Sequence, residues 1–248
     1  MIRGLAAAVS FLTIVPVSGR WSPAAASRSA VFFPLVGWLV GGGLAIIDSG
    51  LAGLPMPVRA SLVLGGWLLI TGALHLDGLI DVFDALAPGL DRERARAAVG
   101  DPRAGAMGVA AAIVLIAIKW SALASIGERR VAWLLLAPAI ARWAAVGAMV
   151  AFPYGRGDEG VGAPITRDLG PVQALAATAL LAPAALLIAP SLIAALLAAA
   201  AATAIMIAAA VRRRVGFVSG DAYGAIIESC EALVLVAASA VTAGGITP

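Results

Sequence analysis

Apolar residues run along this chain in long blocks separated by short polar segments. A membrane crossing needs about 20 mostly apolar residues, and by that measure the pattern predicts seven spans. They lie near Val31–Ile47, Val58–His75, Gly105–Ile126, Val131–Phe152, Pro171–Ala189, Ser191–Val211 and Ala222–Ala243. The first block, Met1–Val17, is more weakly apolar and is interrupted by Pro16. It is expected to lie in the interface or to re-enter the bilayer, and it shows no convincing signal-peptide cleavage site. The alanine-rich run Ala194–Ala204 suits a tightly packed helix, since small residues let backbones approach. The expected fold is all-α: a polytopic membrane helical bundle forming one membrane-embedded domain over residues 1–248.

Composition agrees with the pattern. Hydrophobic residues make up 62% of the chain and charged residues 12%, against roughly 45–50% and 25% in soluble proteins. So few charges cannot cover a soluble surface of this size. One cysteine, Cys230, excludes a disulfide framework, and one histidine, His75, excludes a multi-histidine zinc centre. The net charge of +3 does not mark a nucleic-acid binder, because the basic residues sit between apolar blocks.

Charge placement orients the spans. With seven crossings, one side carries twelve basic residues: Arg3, Arg20, Arg28, Arg92, Arg94, Arg96, Arg103, Arg156, Arg167 and Arg212 to Arg214. The other carries three, Arg59, Arg129 and Arg130, while Lys119 and Arg142 fall inside spans. The basic-rich side is therefore expected to face the cytoplasm. Most carboxylates gather on that side too, although acidic residues contribute little to topology. That asymmetry asks for a chemical cause, and a metal site is one.

The densest cluster runs from His75 to Asp84. On a helix, Asp77, Asp81 and Asp84 stand at i, i+4 and i+7, within about 60° of one another. Like charges on one stripe repel. A hard divalent cation such as Mg²⁺ would relieve them; a solvated acidic helix end is the plainer alternative. A second cluster places Asp221, Gly224, Glu228 and Glu231 on one face of the last span. Glutamates there must be paired, protonated or metal-bound, and a buried network holding helices together would also account for them. The third cluster, Asp101 to Gly108, fits a turn into a helix whose N-terminus favours anions, with Arg103 as a phosphate donor, or simply a capped helix start without a function. Lys119 lies deeper and would pair with Glu228 or Glu231, or snorkel. The segment Tyr154–Gly162 reads as a flexible loop, able to close over a substrate or simply to connect spans. Carboxylates on two helices with cations and glycines nearby suit a membrane enzyme that handles a diphosphate. An ion-coupled transporter is the rival class, but the acids crowd one face and not the midplane.

At these residues the chain resembles the cobalamin synthase family, the adenosylcobinamide-GDP ribazoletransferases of late cobalamin biosynthesis. His75-Leu76-Asp77-Gly78-Leu79-Ile80-Asp81 with Asp84 is similar to that family's His-Leu-Asp-Gly-Leu-Ala-Asp-x-x-Asp signature. Phe33 to Gly37, Asp101 to Gly105 with Gly108, Lys119, Arg142, Glu159 to Gly162, and Gly220 through Glu231 match further segments in the same order. Ile14, Ile80 and Pro102 depart from the usual arginine, alanine and serine. Other Mg²⁺-dependent membrane phosphotransferases and prenyltransferases fit less well, since their repeated or Ala-Arg-containing aspartate motifs are missing.

The resemblance implies transfer of phosphocobinamide from adenosylcobinamide-GDP to α-ribazole or its 5′-phosphate, with release of GMP, at the cytoplasmic (inner) membrane. It implies Mg²⁺ held by Asp77, Asp81, Asp84, Asp221 and Glu228. Asp77, Asp81, Arg103 and Lys119 would act in catalysis, with Asp101 and Glu231 as candidate bases. His75, Arg103, Lys119, Arg142, Arg156, Glu159, Gly220 and Gly224 would contact substrate. The partners expected are these substrates and the bilayer, without nucleic acid; a homo-oligomer is left open.

Overall fold

The structure, a computed structural model, describes residues 2–17, 22–127, 129–152, 154–155, 162–166 and 169–244. Apart from a single bridge between Tyr154 and Val218, the regular structure among these residues is helical. In chain order the α-helices are α1 (Ile2–Leu12), α2 (Pro23–Ser27), α3 (Phe33–Gly50), α4 (Met56–Thr71), α5 (Leu74–Ala85) and α6 (Arg92–Ala98). They continue with α7 (Ala106–Ser125), α8 (Arg130–Ala151), α9 (Ala163–Thr166), α10 (Pro171–Ala179), α11 (Pro190–Val215) and α12 (Gly220–Ala243). Short 3₁₀ turns at Ala30–Phe32 and Ala182–Leu186 extend α3 and α10.

Five helical stretches among the described residues are long and apolar enough to cross a membrane: Ala25–Gly50, α7, α8, α11 and α12. A sixth arises if α4 and α5 count as one bent span. Two of the seven expected spans are therefore remade. The stretch expected as Val58–His75 stops at Thr71, and the chain turns by 88° into α5. Gly72 takes the left-handed conformation there (φ 61°), which costs a residue without Cβ little, and the Ala73 N–H closes the helix on the Leu68 carbonyl. His75 thereby belongs to α5, beyond the break. The stretch expected as Pro171–Ala189 is α10 followed by the 3₁₀ turn. It runs along the bundle as a broken element: the Trp38 indole donates to the Leu180 carbonyl, and Arg129 to that of Leu187. Helix α1, at 11 residues, rises only about 16 Å, too little to cross, as its weaker hydropathy led one to expect.

The core is built on α8 and α12, both buried along most of their length, whereas α7 and α11 present much of their surface outward. The tightest helix pair is α3 against α8. A Cβ on Gly37 would sit 2.5 Å from the Pro138 carbonyl oxygen, and one on Gly41 2.5 Å from that of Leu134. Pro138 lacks the N–H that would bond Leu134 within α8, so the bare backbone of Gly41 packs against that carbonyl. Small residues four apart are the usual means of bringing membrane helices this close. At one end of the bundle Asp48 on α3 is buried between two arginines, accepting from Arg59 Nε at 2.8 Å and Arg130 Nε at 2.7 Å. The acidic clusters lie at the other end.

Gly37→Val should lower the melting temperature of the detergent-solubilised protein by several degrees, because overpacking of this kind costs about 1–3 kcal/mol. Gly42→Ala on the same helix, where an added Cβ meets nothing within 4 Å, should leave it unchanged. Thermal unfolding followed by size-exclusion chromatography separates the two.

Candidate active site

The site begins with two glycines. A Cβ on Gly78 of α5 would stand 2.7 Å from the Asp221 carbonyl oxygen, and one on Gly224 of α12 would stand 3.2 Å from the His75 backbone. Their absence lets α5 and the first turns of α12 meet backbone to backbone. Asp77 and Asp81, either side of Gly78, are thus carried to Asp221, and Asp81 is within electrostatic range of Asp77, Asp84 and Asp221. Asp81 Oδ2 accepts the Gly100 N–H at 3.0 Å, and Asp221 Oδ2 accepts the Ser219 hydroxyl at 2.9 Å. These three carboxylates keep acceptor capacity for a ligand.

Asp84 is engaged elsewhere. Its Oδ2 accepts the Gly105 N–H at 2.7 Å and its Oδ1 the Gly108 N–H at 2.8 Å, so a carboxylate from α5 caps the first turn of α7. A negative charge at that position also complements the helix dipole. Of the two readings of the turn at Asp101 to Gly108, the structure has the capped helix start, and the anion there is the protein's own side chain. Asp84, expected among the metal ligands, is thus held by two backbone N–H groups of α7. Arg103 stands in solvent and pairs with Asp101, Nη2 to Oδ2 at 3.0 Å. That guanidinium holds the Asp101 carboxyl down at about 2, well below the ordinary range, which makes it a poor proton acceptor.

Glu228 and Glu231 are also placed apart from the aspartates. Lys119 Nζ on α7 donates to Glu228 Oε2 at 2.8 Å and to Glu231 Oε2 at 2.7 Å, and Arg142 Nη1 on α8 donates to Glu231 Oε1 at 2.6 Å. All four residues are at most 2% exposed, and the Trp67 ring lies 4.4 Å from the ammonium, a cation–π contact. Two cations and two anions make a neutral cluster that ties α7, α8 and α12 together. Of the two readings the sequence left for these glutamates, the structure has the buried network. Glu228, expected as a metal ligand, is an ion-pair partner of Lys119 in this structure. Lys119, Arg142 and Glu231, expected as substrate or catalytic groups, are held together in this cluster, within electrostatic range of His75. The network leaves Arg142 Nε and Nη2 without partners, and the same is true of both nitrogens of buried His75.

Beside the junction is a cavity of about 110 Å³. Phe11, Leu12, Phe33, Met149, Tyr223 and Ile227 give it apolar walls, while His75, Asp77, Thr166 and Asp221 supply polar groups. Gly220 and Gly224 also line it. Of the residues expected to bind substrate, His75, Gly220 and Gly224 come together here with the aspartates. Arg156 and Glu159 lie outside the described residues. Sequence reading missed the contributions of Phe11, Met149 and Thr166; none carries a charge or a motif, and only their convergence identifies them. Among the described residues no three His, Cys, Asp or Glu side chains form a ready-made metal cage.

Removing one member of the buried network should be far worse than removing a pair. Lys119→Met strands Glu228 without a counter-charge and should cost about 3–5 kcal/mol. Adding Glu228→Gln should recover part of that loss, which melting temperatures of the two variants would reveal.

The comparisons agree with this architecture over nearly its whole length. The family model described as cobalamin-5-phosphate synthase matches residues 4–239. A protein of Pseudomonas fluorescens is 35% identical over 233 residues, 92% of this chain and 96% of its own length. One of Pseudomonas syringae is 37% identical over 236 residues with the same coverage, and one of Brevibacillus brevis is 33% identical over 234 residues. Each of these relatives is named adenosylcobinamide-GDP ribazoletransferase. No solved structure matches the chain significantly. A match spanning α1 to α12, with the aspartate junction and the buried network inside it, leaves one conclusion: this chain is a multi-pass membrane protein that belongs to the cobalamin-5-phosphate synthase family.

Proposed function

We propose that this chain transfers the phosphocobinamide moiety of adenosylcobinamide-GDP to α-ribazole or its 5′-phosphate and releases GMP. The observation that carries the reading is the full-length similarity to relatives bearing the ribazoletransferase name, and the carboxylate junction at the α5–α12 contact supports it. In this reaction a ribazole hydroxyl attacks the phosphorus on the cobinamide side. The new O–P bond forms as the P–O bond to GMP breaks, and the hydroxyl proton leaves to solvent. Of the two expected bases, Glu231 has both oxygens engaged in buried ion pairs, and Asp101 is held in its salt bridge by Arg103.

Mg²⁺ remains part of the proposal. The donors at the junction are carboxylates, which suit a hard cation, and Mg²⁺ is commonly held by one or two carboxylates with substrate phosphates completing its shell. An all-protein cage is not required. Asp77, Asp81 and Asp221 would hold it, and when bound it would neutralise charge on the diphosphate. Gly78 and Gly224 serve by allowing the two helices to meet; Asp84 serves by fixing the start of α7 beside them. The basic residues at this end of the bundle support an active site facing the cytoplasm across the inner membrane, where a GDP-linked substrate is available.

Protein in nanodiscs supplied with adenosylcobinamide-GDP, α-ribazole 5′-phosphate and Mg²⁺ should release GMP with a cobalamin product; chromatography that finds neither overturns the reading. Asp77→Ala and Asp221→Ala should each lower turnover by about 10²-fold or more while the protein stays monodisperse. Chelation with EDTA should stop the wild-type reaction, and added Mg²⁺ should restore it.

A further inference from the structure

Two observations meet in the cavity beside the aspartates. The first is its shape and lining: about 110 Å³, walled by Phe11, Phe33, Met149, Tyr223 and Ile227. An apolar cavity of about 150 Å³ holds benzene, so this smaller one admits an edge of a planar ring system and leaves the remainder at its mouth. A corrin macrocycle or a guanine nucleotide is several times larger. The second is His75, which lines the same cavity, is only 3% exposed, and has no hydrogen-bond partner on either ring nitrogen. A buried imidazole left unsatisfied on both sides is costly unless something occupies the space against it.

We propose that this cavity receives the ring-nitrogen edge of the acceptor nucleoside's planar, apolar bicyclic base, with His75 as its hydrogen-bonding anchor. The proposal rests on the transferase reading above and adds where one of its two substrates is held. A benzimidazole-type base joined to ribose through one ring nitrogen keeps the other as an acceptor, and a histidine ring always has an N–H to donate to it. Aromatic and thioether walls offer the stacking that a sequence-neutral base requires. With the base seated, the ribose extends toward Asp77 and Asp221, which line the same cavity and are the residues assigned to the diphosphate. The two substrates would then meet at the α5–α12 contact without the donor's large groups entering the pocket.

Gly220 supplies a clean test, because it lines the cavity and a Cβ there meets nothing within 4 Å. Gly220→Leu therefore fills the space without a backbone clash. Equilibrium dialysis of α-ribazole against protein in nanodiscs, without the GDP substrate, should show binding to the wild type. Gly220→Leu should weaken it at least tenfold, and His75→Phe, which keeps a ring but removes both nitrogens, by roughly tenfold, in line with one lost hydrogen bond. In turnover, both variants should raise KM for α-ribazole while KM for adenosylcobinamide-GDP stays within twofold. If both KM values rise together, or that of the GDP substrate rises alone, the cavity is not the acceptor's seat. Wild-type protein that releases GMP yet takes up no α-ribazole also overturns the proposal, since the cavity then holds water only. Protein that binds α-ribazole in a Gly220-sensitive way but releases no GMP would sink the transferase reading and leave the seat standing.

Discussion

Two glutamates inside a membrane bundle must find positive charge, and here that requirement organises the middle of the molecule. Glu228 and Glu231 on α12 draw Lys119 from α7 and Arg142 from α8 into one neutral, buried cluster. Such a cluster is not a large source of stability compared with apolar packing, because four charges have lost their water. Its effect is on specificity: only one rotation of α12 puts both glutamates against both cations. That same rotation presents Asp221, Tyr223 and Gly224, one to two turns away, to α5 and the cavity. The network therefore fixes which face of α12 meets α5.

A second constraint is steric. Gly78 against Asp221, Gly224 against His75, and Gly37 and Gly41 against α8 are places where a single Cβ would not fit. In a bilayer, helices gain little from burying apolar surface against each other, so close backbone contact and satisfied polar groups carry the association. The glycines and the ion cluster are two halves of one arrangement. The glycines bring the helices together, and the charges fix their register.

The end of the bundle that holds the site is correspondingly irregular. There α4 breaks at Gly72 into α5, and α7 starts under the carboxylate of Asp84. Breaks of this kind are tolerated at membrane depth only where protein lines them. They are what allows a carboxylate junction and a small apolar cavity to lie side by side, a combination that fits a reaction between a charged diphosphate and a nucleoside with an apolar base.

Much of this was legible beforehand. Hydropathy determined the membrane, the all-helical class and most of the long helices, because apolar block length reports directly on what a bilayer accepts. The aspartate signature and its neighbours, read in order, determined the family. Even the pairing of Lys119 with the glutamates was among the readings the chain allowed. What the sequence could not decide was how the scarce charges are shared out. Asp81 and Asp84 sit three residues apart on one helix face, yet one faces the junction and the other caps a helix that starts 22 residues later. Glu228 carries the spacing of a ligand, yet its partner is a lysine 109 residues away. A carboxylate has the same chemistry in all of these positions, and periodicity fixes only its direction from its own helix. Which helix comes to meet it, and whether with another carboxylate, a row of N–H groups or an ammonium, is decided by tertiary packing alone.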